Sequence, residues 1–152
     1  MKKYIGTKML QALPMNRGDY NKYRGWNIPE NENPNDEGYL VEYEDGYQSW
    51  SPKEVFENAY RDCEGLTFGI AIELLKKGVK VARDGWNGKG MFVYYVSANK
   101  YKSCTDAGDS ISDSDGMVEY EPYLAIKNVK GTVSTWVPSI NDVLSEDWVI
   151  VE

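Results

Sequence analysis

Short alternating runs separated by glycine-containing turns constrain the fold of this chain more than any other feature. Asp45-Gly46 separates residues 39–44, in which Tyr39, Val41 and Tyr43 alternate onto one face, from residues 47–50. This pattern is typical of a β-hairpin. Lys130-Gly131 lies between two similar runs and predicts a second hairpin. Strands are expected at residues 1–9, 39–44, 47–50, 79–83, 91–96, 122–129, 132–137 and 148–151.

Two segments carry the signals of helices. Ser51 is expected to cap a helix with Pro52 at its first position, and Glu54 is expected to reach back to the cap. Thr67 is expected to cap a helix at residues 68–77, which Gly78 ends. Loops or turns are predicted at residues 12–18, 27–38, 84–90 and 97–117, and a turn or one helical turn at residues 138–147.

This order of elements predicts an α+β fold, because the strands follow one another and no βαβ series occurs. An antiparallel β-sheet packed with a helix is expected at residues 66–152. A small N-terminal module, a β-hairpin followed by a helix, is expected at residues 1–62. The polar loop at residues 97–117 is expected to be mobile.

Charge and residue types exclude several function classes. The net charge of −7 argues against DNA or RNA as a partner, although a small anion can still bind to a few local cations and N–H groups. The chain has no histidine, which removes His-dependent catalysis and His-ligated metals. The segment after Met1 contains no long apolar run, so neither a signal peptide nor a membrane span is expected, and the cytosol is the expected location.

The glycine-rich turn at residues 84–90 is the first candidate ligand site. Arg83 and Lys89 supply positive charge beside it, and Trp86 supplies a face on which a purine can stack. Glycines at 85, 88 and 90 allow a ligand to approach the backbone closely. Taken alone, the segment favours a glycine-rich hairpin whose tryptophan packs on its own sheet.

A second candidate segment follows the second hairpin. Trp136 can form another stacking wall, and Ser139 and Asp142 can hydrogen-bond ribose hydroxyls or base edges. A core tryptophan followed by a capped turn is the alternative for this segment. The acidic run at residues 109–116 fails the EF-hand pattern, because the closing glutamate and the flanking helices are missing, and it is expected to be a solvated loop.

Four blocks of the second module together resemble the phage Thoeris anti-defence proteins of the second type. The blocks are FGIAIELLKKG at residues 68–78, VKVARDGWNGKGMF at 79–92, TVSTWVPS at 132–139 and DVLSEDWVIVE at 142–152. The resemblance covers about 85 residues, and the order of the four blocks makes it more specific than any single motif. Residues 1–62 have no place in that pattern, and the loop at 97–117 is longer and more acidic than the family leads us to expect.

The resemblance implies a homotetrameric phage protein that acts in the cytoplasm of the infected host. Such a protein binds glycocyclic ADP-ribose, the signal of Thoeris defence, and for some members cyclic dinucleotides, without cleaving them. It implies neither enzyme activity nor a cofactor or metal. The residues expected to contact the ligand are Phe68, Arg83, Trp86, Asn87, Gly88, Lys89, Met91, Trp136, Pro138, Ser139 and Asp142.

Two other functions stay open at this point. An enzyme that hydrolyses a nucleotide signal is one alternative, with the acidic loop as its source of carboxylates. An inhibitor that binds a host defence protein through the tyrosine-rich N-terminal module is the other.

Overall fold

The computed structural model describes residues 1–152, which form two compact units. We call Met1–Arg61 the N-terminal unit and Asp62–Glu152 the C-terminal unit. Both combine helices with antiparallel sheets, which confirms the predicted α+β class. No helix of the protein has both the length and the apolar character that a bilayer span requires.

The N-terminal unit is a three-stranded antiparallel sheet with two helices. Its elements are β1 (Gln11–Pro14), α1 (Arg17–Arg24), β2 (Gly38–Glu42), β3 (Gln48–Pro52) and α2 (Lys53–Ala59), and the sheet order is β1-β2-β3. The hairpin of β2 and β3 was predicted, but its loop has three residues. The N–H of Tyr43 donates to the carbonyl of Tyr47 at 2.9 Å, and Gly46 has a φ of 80°, the left-handed conformation that glycine adopts freely.

Three expectations for the N-terminal unit were wrong. Residues 1–9 form no strand, and β1 lies instead in the segment expected to be a loop, where Leu13 pairs with Leu40. The unpredicted helix α1 begins where the Asn16 side chain accepts the N–H of Asp19 at 2.7 Å. Helix α2 begins one residue later than expected and has no side-chain cap, because Ser51 is paired with Tyr39 within the sheet.

The C-terminal unit is built on a five-stranded antiparallel sheet. Its elements are α3 (Phe68–Lys76), β4 (Lys80–Arg83), β5 (Phe92–Val96), β6 (Asn99–Lys102), α4 (Asp106–Asp109), β7 (Met117–Tyr120), β8 (Tyr123–Lys127), β9 (Val133–Thr135), α5 (Ile140–Leu144) and β10 (Trp148–Val151). The strand order is β10-β4-β5-β8-β9. The core of the unit includes Leu75 of α3 together with Val81, Val93 and Trp148 of the sheet, all fully buried.

The segment at residues 97–117, expected to be a loop, contains the strand β6 and the short helix α4 and ends where β7 begins. Strands β6 and β7 pair as a separate two-stranded sheet. Tyr101 and Tyr120 contact edge to face, with ring centroids 5.6 Å apart, and Lys100 forms an ion pair with Asp113 at 3.1 Å. The many polar residues of this segment mask the strand alternation in the sequence, because most of its side chains are exposed.

Candidate functional site

Three tryptophans meet at one end of the five-stranded sheet. We call Trp86, Trp136 and Trp148 the tryptophan cluster. Ring centroids are 6.2 Å apart for Trp86 and Trp136, 5.6 Å for Trp86 and Trp148, and 6.0 Å for Trp136 and Trp148. Trp148 is fully buried, whereas Trp86 and Trp136 are partly exposed. The fold therefore brings together the two tryptophans that were expected to contact the ligand.

Each ring of the cluster is positioned by a different segment of the chain. Trp86 lies in the turn after β4, where its backbone N–H donates to the carbonyl of Arg83 at 3.2 Å. Trp136 follows β9, and its N–H donates to the carbonyl of Leu124 at 2.7 Å. Trp148 opens β10 opposite Arg83 in the sheet register, so the last strand of the chain supplies the floor of the cluster.

Phe68, another residue expected to contact the ligand, also touches the cluster. It begins α3, and its ring centroid lies 5.5 Å from that of Trp148 and 6.4 Å from that of Trp136. Met91 packs against the same core. Both residues are partly buried.

The arrangement of the rings corrects one geometric expectation. Trp86 and Trp136 meet nearly at right angles, with an interplanar angle of 68°. A base held between two walls needs parallel rings about 7 Å apart, because each stacking contact takes about 3.5 Å. A purine therefore has no place between the two indoles as they stand, and it can stack only on their solvent-facing sides.

The Arg83 guanidinium donates hydrogen bonds to the carboxylates of Asp142 and Asp147. Its Nε lies 2.7 Å from Asp147 Oδ1, its Nη2 3.2 Å from Asp147 Oδ2, and its Nη1 3.0 Å from Asp142 Oδ1. The hydrogen bonds from Asp147 and Asp142 raise the pKa of Arg83 above its usual value. The guanidinium that was expected to face a ligand anion is thus engaged by the protein, and the three charges sum to −1.

The carboxylates respond to Arg83 in the opposite direction. Hydrogen bonds from Arg83 lower the pKa of Asp147, and the hydrogen bond from the N–H of Gly85 lowers it further. Burial acts in the opposite direction but does not outweigh these bonds. Burial raises the pKa of Asp142, but hydrogen bonds from Ser139, Arg83 and Trp86 outweigh it, and the net pKa is lowered. Both groups are therefore ionised at neutral pH.

Ser139 and Asp142 form the capping box of α5. The Ser139 hydroxyl accepts the N–H of Asp142 at 3.2 Å, and Asp142 Oδ2 accepts the N–H of Ser139 at 2.9 Å. The predicted single helical turn is thus present, and its cap consists of two residues that were expected to contact the ligand. Pro138 precedes the cap and is partly exposed.

The glycines of the turn serve close contacts within the protein. A Cβ at Gly85 would come within 2.7 Å of Asp147 Oδ2, and one at Gly88 would overlap the sulfur of Met91. Gly90 has a φ of 73°. Asn87 and Lys89 point their side chains into solvent between these glycines, so Lys89 is the exposed cation of the turn.

Two members of the site were absent from the predicted contact set. Asp147 holds Arg83, and Trp148 completes the cluster. Both lie in the block DVLSEDWVIVE, but only the pairing of β10 with β4 places them beside Arg83. No group of acidic or cysteine side chains is arranged to hold a metal ion, and Cys63 and Cys104 are exposed and unpaired.

An open groove of about 400 Å³ lies elsewhere in the unit and contains none of the predicted residues. Lys80, Phe92 and Lys127 line it, and the two Nζ atoms lie 5.5 and 5.6 Å from the centroid of the Phe92 ring. Neighbouring residues in a strand point to opposite faces, so the groove lies on the sheet face away from the buried Val81 and Val93. The groove is shallow, and no residue of the tryptophan cluster lines it.

The fold and the site define a small α+β domain with a partly exposed aromatic cluster at one end of an antiparallel sheet. Residues 66–151 match the family model described as the Thoeris anti-defense 2-like domain. A relative named Thoeris anti-defense 2, from Bacillus phage SP01, is 40% identical over 86 residues, which are 57% of this chain and 94% of the relative. The chain belongs to the Thoeris anti-defense 2-like family, which confirms the resemblance seen in the sequence and makes phage anti-defence against Thoeris its function class.

Proposed function

We propose that the protein binds the cyclic nucleotide signal of Thoeris defence at the tryptophan cluster and holds it without cleaving it. The proposed ligand is glycocyclic ADP-ribose, and cyclic dinucleotides are the second ligand class. Family membership supports the defence system that is opposed. The tryptophan cluster is the observation that carries the binding mode, because two partly exposed indoles meet edge to face and both contact a buried third.

The cluster offers the chemistry that a purine requires. Each base stacked on an aromatic side chain contributes about 1–3 kcal/mol. Lys89 and the polar side chain of Asn87 lie exposed in the same turn as Trp86, where they can meet phosphate or ribose oxygens. Arg83, Asp142 and Asp147 together carry a net negative charge, so the phosphates are expected on the Lys89 side of Trp86.

Assembly into a homotetramer in the cytoplasm of the infected host is part of the proposal. Large apolar side chains follow Trp136 directly and are exposed: Val137 at 84%, Ile140 at 68% and Leu144 at 74%. Apolar surface of this kind is typical of protein contacts. Another copy that covers it would exclude water beside the tryptophan cluster. Native mass spectrometry of the full chain reports the number of copies and of bound ligands together.

Removing either exposed indole tests the binding mode. Trp86→Ala and Trp136→Ala are each expected to weaken binding of glycocyclic ADP-ribose roughly 5- to 150-fold, the equivalent of one stacked base. Isothermal titration calorimetry measures the affinity, and far-UV circular dichroism checks the fold. Trp26→Ala is the matched control, because Trp26 is 51% exposed and lies in the N-terminal unit. Wild-type affinity in both variants of the cluster would sink the assignment.

The fate of the ligand separates binding from catalysis. The protein is incubated with glycocyclic ADP-ribose, denatured by heat, and the released material is analysed by chromatography. Intact ligand is expected in an amount that matches the binding sites. A linear product would instead make the protein a hydrolase. Failure to deplete any cyclic nucleotide, together with capture of a Thoeris protein, would make it a protein inhibitor.

A further inference from the structure

Asp142 is the buried acidic residue of this protein, with 9% of its surface exposed. An ionised carboxylate accepts about four hydrogen bonds. Oδ2 accepts from the backbone N–H of Ser139 at 2.9 Å and from the Ser139 hydroxyl at 2.7 Å. Oδ1 accepts from Arg83 Nη1 at 3.0 Å and from Trp86 Nε1 at 3.4 Å. Four donors within the protein thus surround the carboxylate, and the contact with Trp86 is the longest of them.

The same residue also holds the buried ring of the tryptophan cluster. Trp148 Nε1 donates to the backbone carbonyl of Asp142 at 3.0 Å. The indole N–H groups of Trp86 and Trp148 therefore both donate to Asp142, the first to its carboxylate and the second to its backbone carbonyl. Arg83 extends this network to Asp147, which accepts the N–H of Gly85 at 3.0 Å, next to Trp86 in the turn.

Trp86 needs such a restraint more than Trp148 does. Trp148 is fully buried, so packing fixes its ring. Trp86 is partly exposed, and it lies in a turn rather than in a strand. A stacking face that is fixed before the ligand arrives avoids the entropy cost of ordering the side chain on binding.

We propose that Asp142 is a positioning residue that fixes the indole of Trp86 in the ligand-free protein and does not itself contact the ligand. The effect of Asp142 on ligand binding rests on the proposed function. The orientation of Trp86 can be tested without any ligand. The two ideas therefore fail separately.

The indole N–H of Trp86 is the direct readout. In the ¹⁵N-labelled full chain, this proton is expected to exchange with solvent at least roughly tenfold more slowly than that of Trp26, because a hydrogen bond must open first. Trp86→Phe assigns the signal. Exchange as fast as that of half-exposed Trp26 would overturn the proposal in the wild-type protein, with no variant required.

Three variants separate positioning from helix capping. Asp142→Ala is expected to speed exchange of the Trp86 indole proton to the rate of Trp26. Asp142→Asn keeps one acceptor oxygen for Arg83 and Trp86 and is expected to restore part of the protection. Ser139→Ala removes the hydroxyl from the cap but leaves Asp142 Oδ1 in place, and it is expected to leave the Trp86 signal unchanged. The same loss of protection in Ser139→Ala would show that Asp142 acts only through the helix cap.

Binding of glycocyclic ADP-ribose gives the second readout. Asp142→Ala is expected to weaken it roughly tenfold, the equivalent of one hydrogen bond. In a Trp86→Phe background, which has no indole N–H, the effect of Asp142→Ala is expected to fall to about twofold. An equal effect in both backgrounds would overturn the positioning role. No binding to the wild-type protein would overturn the proposed function, while the exchange result still decides how Trp86 is held.

Discussion

The two units are both small antiparallel sheets with helices, but they differ in what fills their interiors. Tyr20 and Val41 are the buried apolar residues of the N-terminal unit, whereas the C-terminal unit buries eleven. The N-terminal unit compensates with specific polar contacts, such as the bond from Trp50 Nε1 to the carbonyl of Met15 at 2.8 Å. The comparison shows that similar elements surround a larger buried apolar core in the C-terminal unit, whereas the N-terminal unit relies more on polar contacts and on partly exposed aromatic stacking, such as that of Tyr39 on Phe56.

Each unit also contains an arginine–carboxylate network beside a tryptophan. In the N-terminal unit, Arg17 pairs with Glu32, Glu32 accepts from buried Asn21 at 3.0 Å, and the guanidinium lies 5.0 Å from the Trp50 ring. That network has one positive and one negative charge. The network of the C-terminal unit has one cation and two carboxylates, so it keeps a net negative charge close to the proposed ligand site.

The largest expected effect comes from the centre of the C-terminal unit. Trp148→Ala removes a fully buried ring that contacts both other cluster tryptophans. It is expected to lower the free energy of unfolding of this unit by about 3–5 kcal/mol, the usual range for a buried aromatic. Chemical denaturation followed by hydrogen exchange and mass spectrometry measures the loss for peptides of each unit.

Trp26→Ala provides the contrast in the N-terminal unit. Trp26 is 51% exposed and touches Tyr20 edge to face with centroids 6.0 Å apart. Its loss is expected to cost about 1 kcal/mol. Equal losses for Trp26→Ala and Trp148→Ala would contradict a larger contribution of buried apolar packing in the C-terminal unit.

Acid is expected to affect the N-terminal unit at a higher pH. Hydrogen bonds from Arg17 and then Asn21 lower the pKa of Glu32 from 4.5 to about 2. A lowered carboxyl pKa stabilises the folded state above the unfolded value, so this contribution is lost as the pH falls from 4.5 to about 2. For Asp142 and Asp147, whose pKa values are also lowered, the loss begins only below 3.8.

Hydrogen exchange of the full chain between pH 5 and 3 tests this order, after correction for the intrinsic pH dependence of exchange. Glu32→Gln is the matched variant, because it keeps the shape and removes the titration. It is expected to reduce the pH dependence of the N-terminal unit and to leave that of the C-terminal unit unchanged, while Glu37, whose pKa is lowered by the hydrogen bond from Lys53, keeps part of the dependence in the N-terminal unit. If Glu32→Gln leaves the pH dependence of the N-terminal unit as steep as in the wild-type chain, the assignment of acid sensitivity to Glu32 is wrong.

Local signals allowed most elements of the C-terminal unit to be predicted. The sequence correctly indicated α3, its end at Gly78, and the hairpin of β8 and β9, because the signals for each lie within a few residues of one another. The pairing of β10 with β4 could not be read in this way. That pairing decides that Arg83 faces Asp142 and Asp147 rather than a ligand anion.

Two similar short runs show why local sequence alone was insufficient. The runs RGWN at residues 24–27 and RDGWN at residues 83–87 share four residue types in order. In the first, Gly25 ends α1 with a φ of 70°, and Arg24 lies over the ring of Trp26 at 4.9 Å. In the second, Arg83 ends a strand and is drawn to two carboxylates that are about 60 residues away in the chain. The distant partners determine the role of the arginine.

Helix caps provide a smaller test that is matched between the units. Asn16 caps α1 and Ser139 caps α5, each through a side-chain oxygen that accepts a backbone N–H. Asn16→Ala and Ser139→Ala are each expected to lower the free energy of unfolding of their unit by about 1 kcal/mol. Denaturant titration measures both, and a loss in only one unit would show that caps do not contribute equally.

The smallest effects are expected at two residues that the sequence also marked as caps. Ser51 precedes α2 and Thr67 precedes α3, but neither helix has a side-chain cap bond. Ser51→Ala and Thr67→Ala therefore remove no hydrogen bond to a helix N-terminus, and each is expected to change stability by less than about 0.5 kcal/mol. A loss near that of Ser139→Ala would mean that the cap bond forms in solution. Because all four substitutions end in alanine, a difference between the two pairs reports the observed hydrogen bonds rather than the residue types.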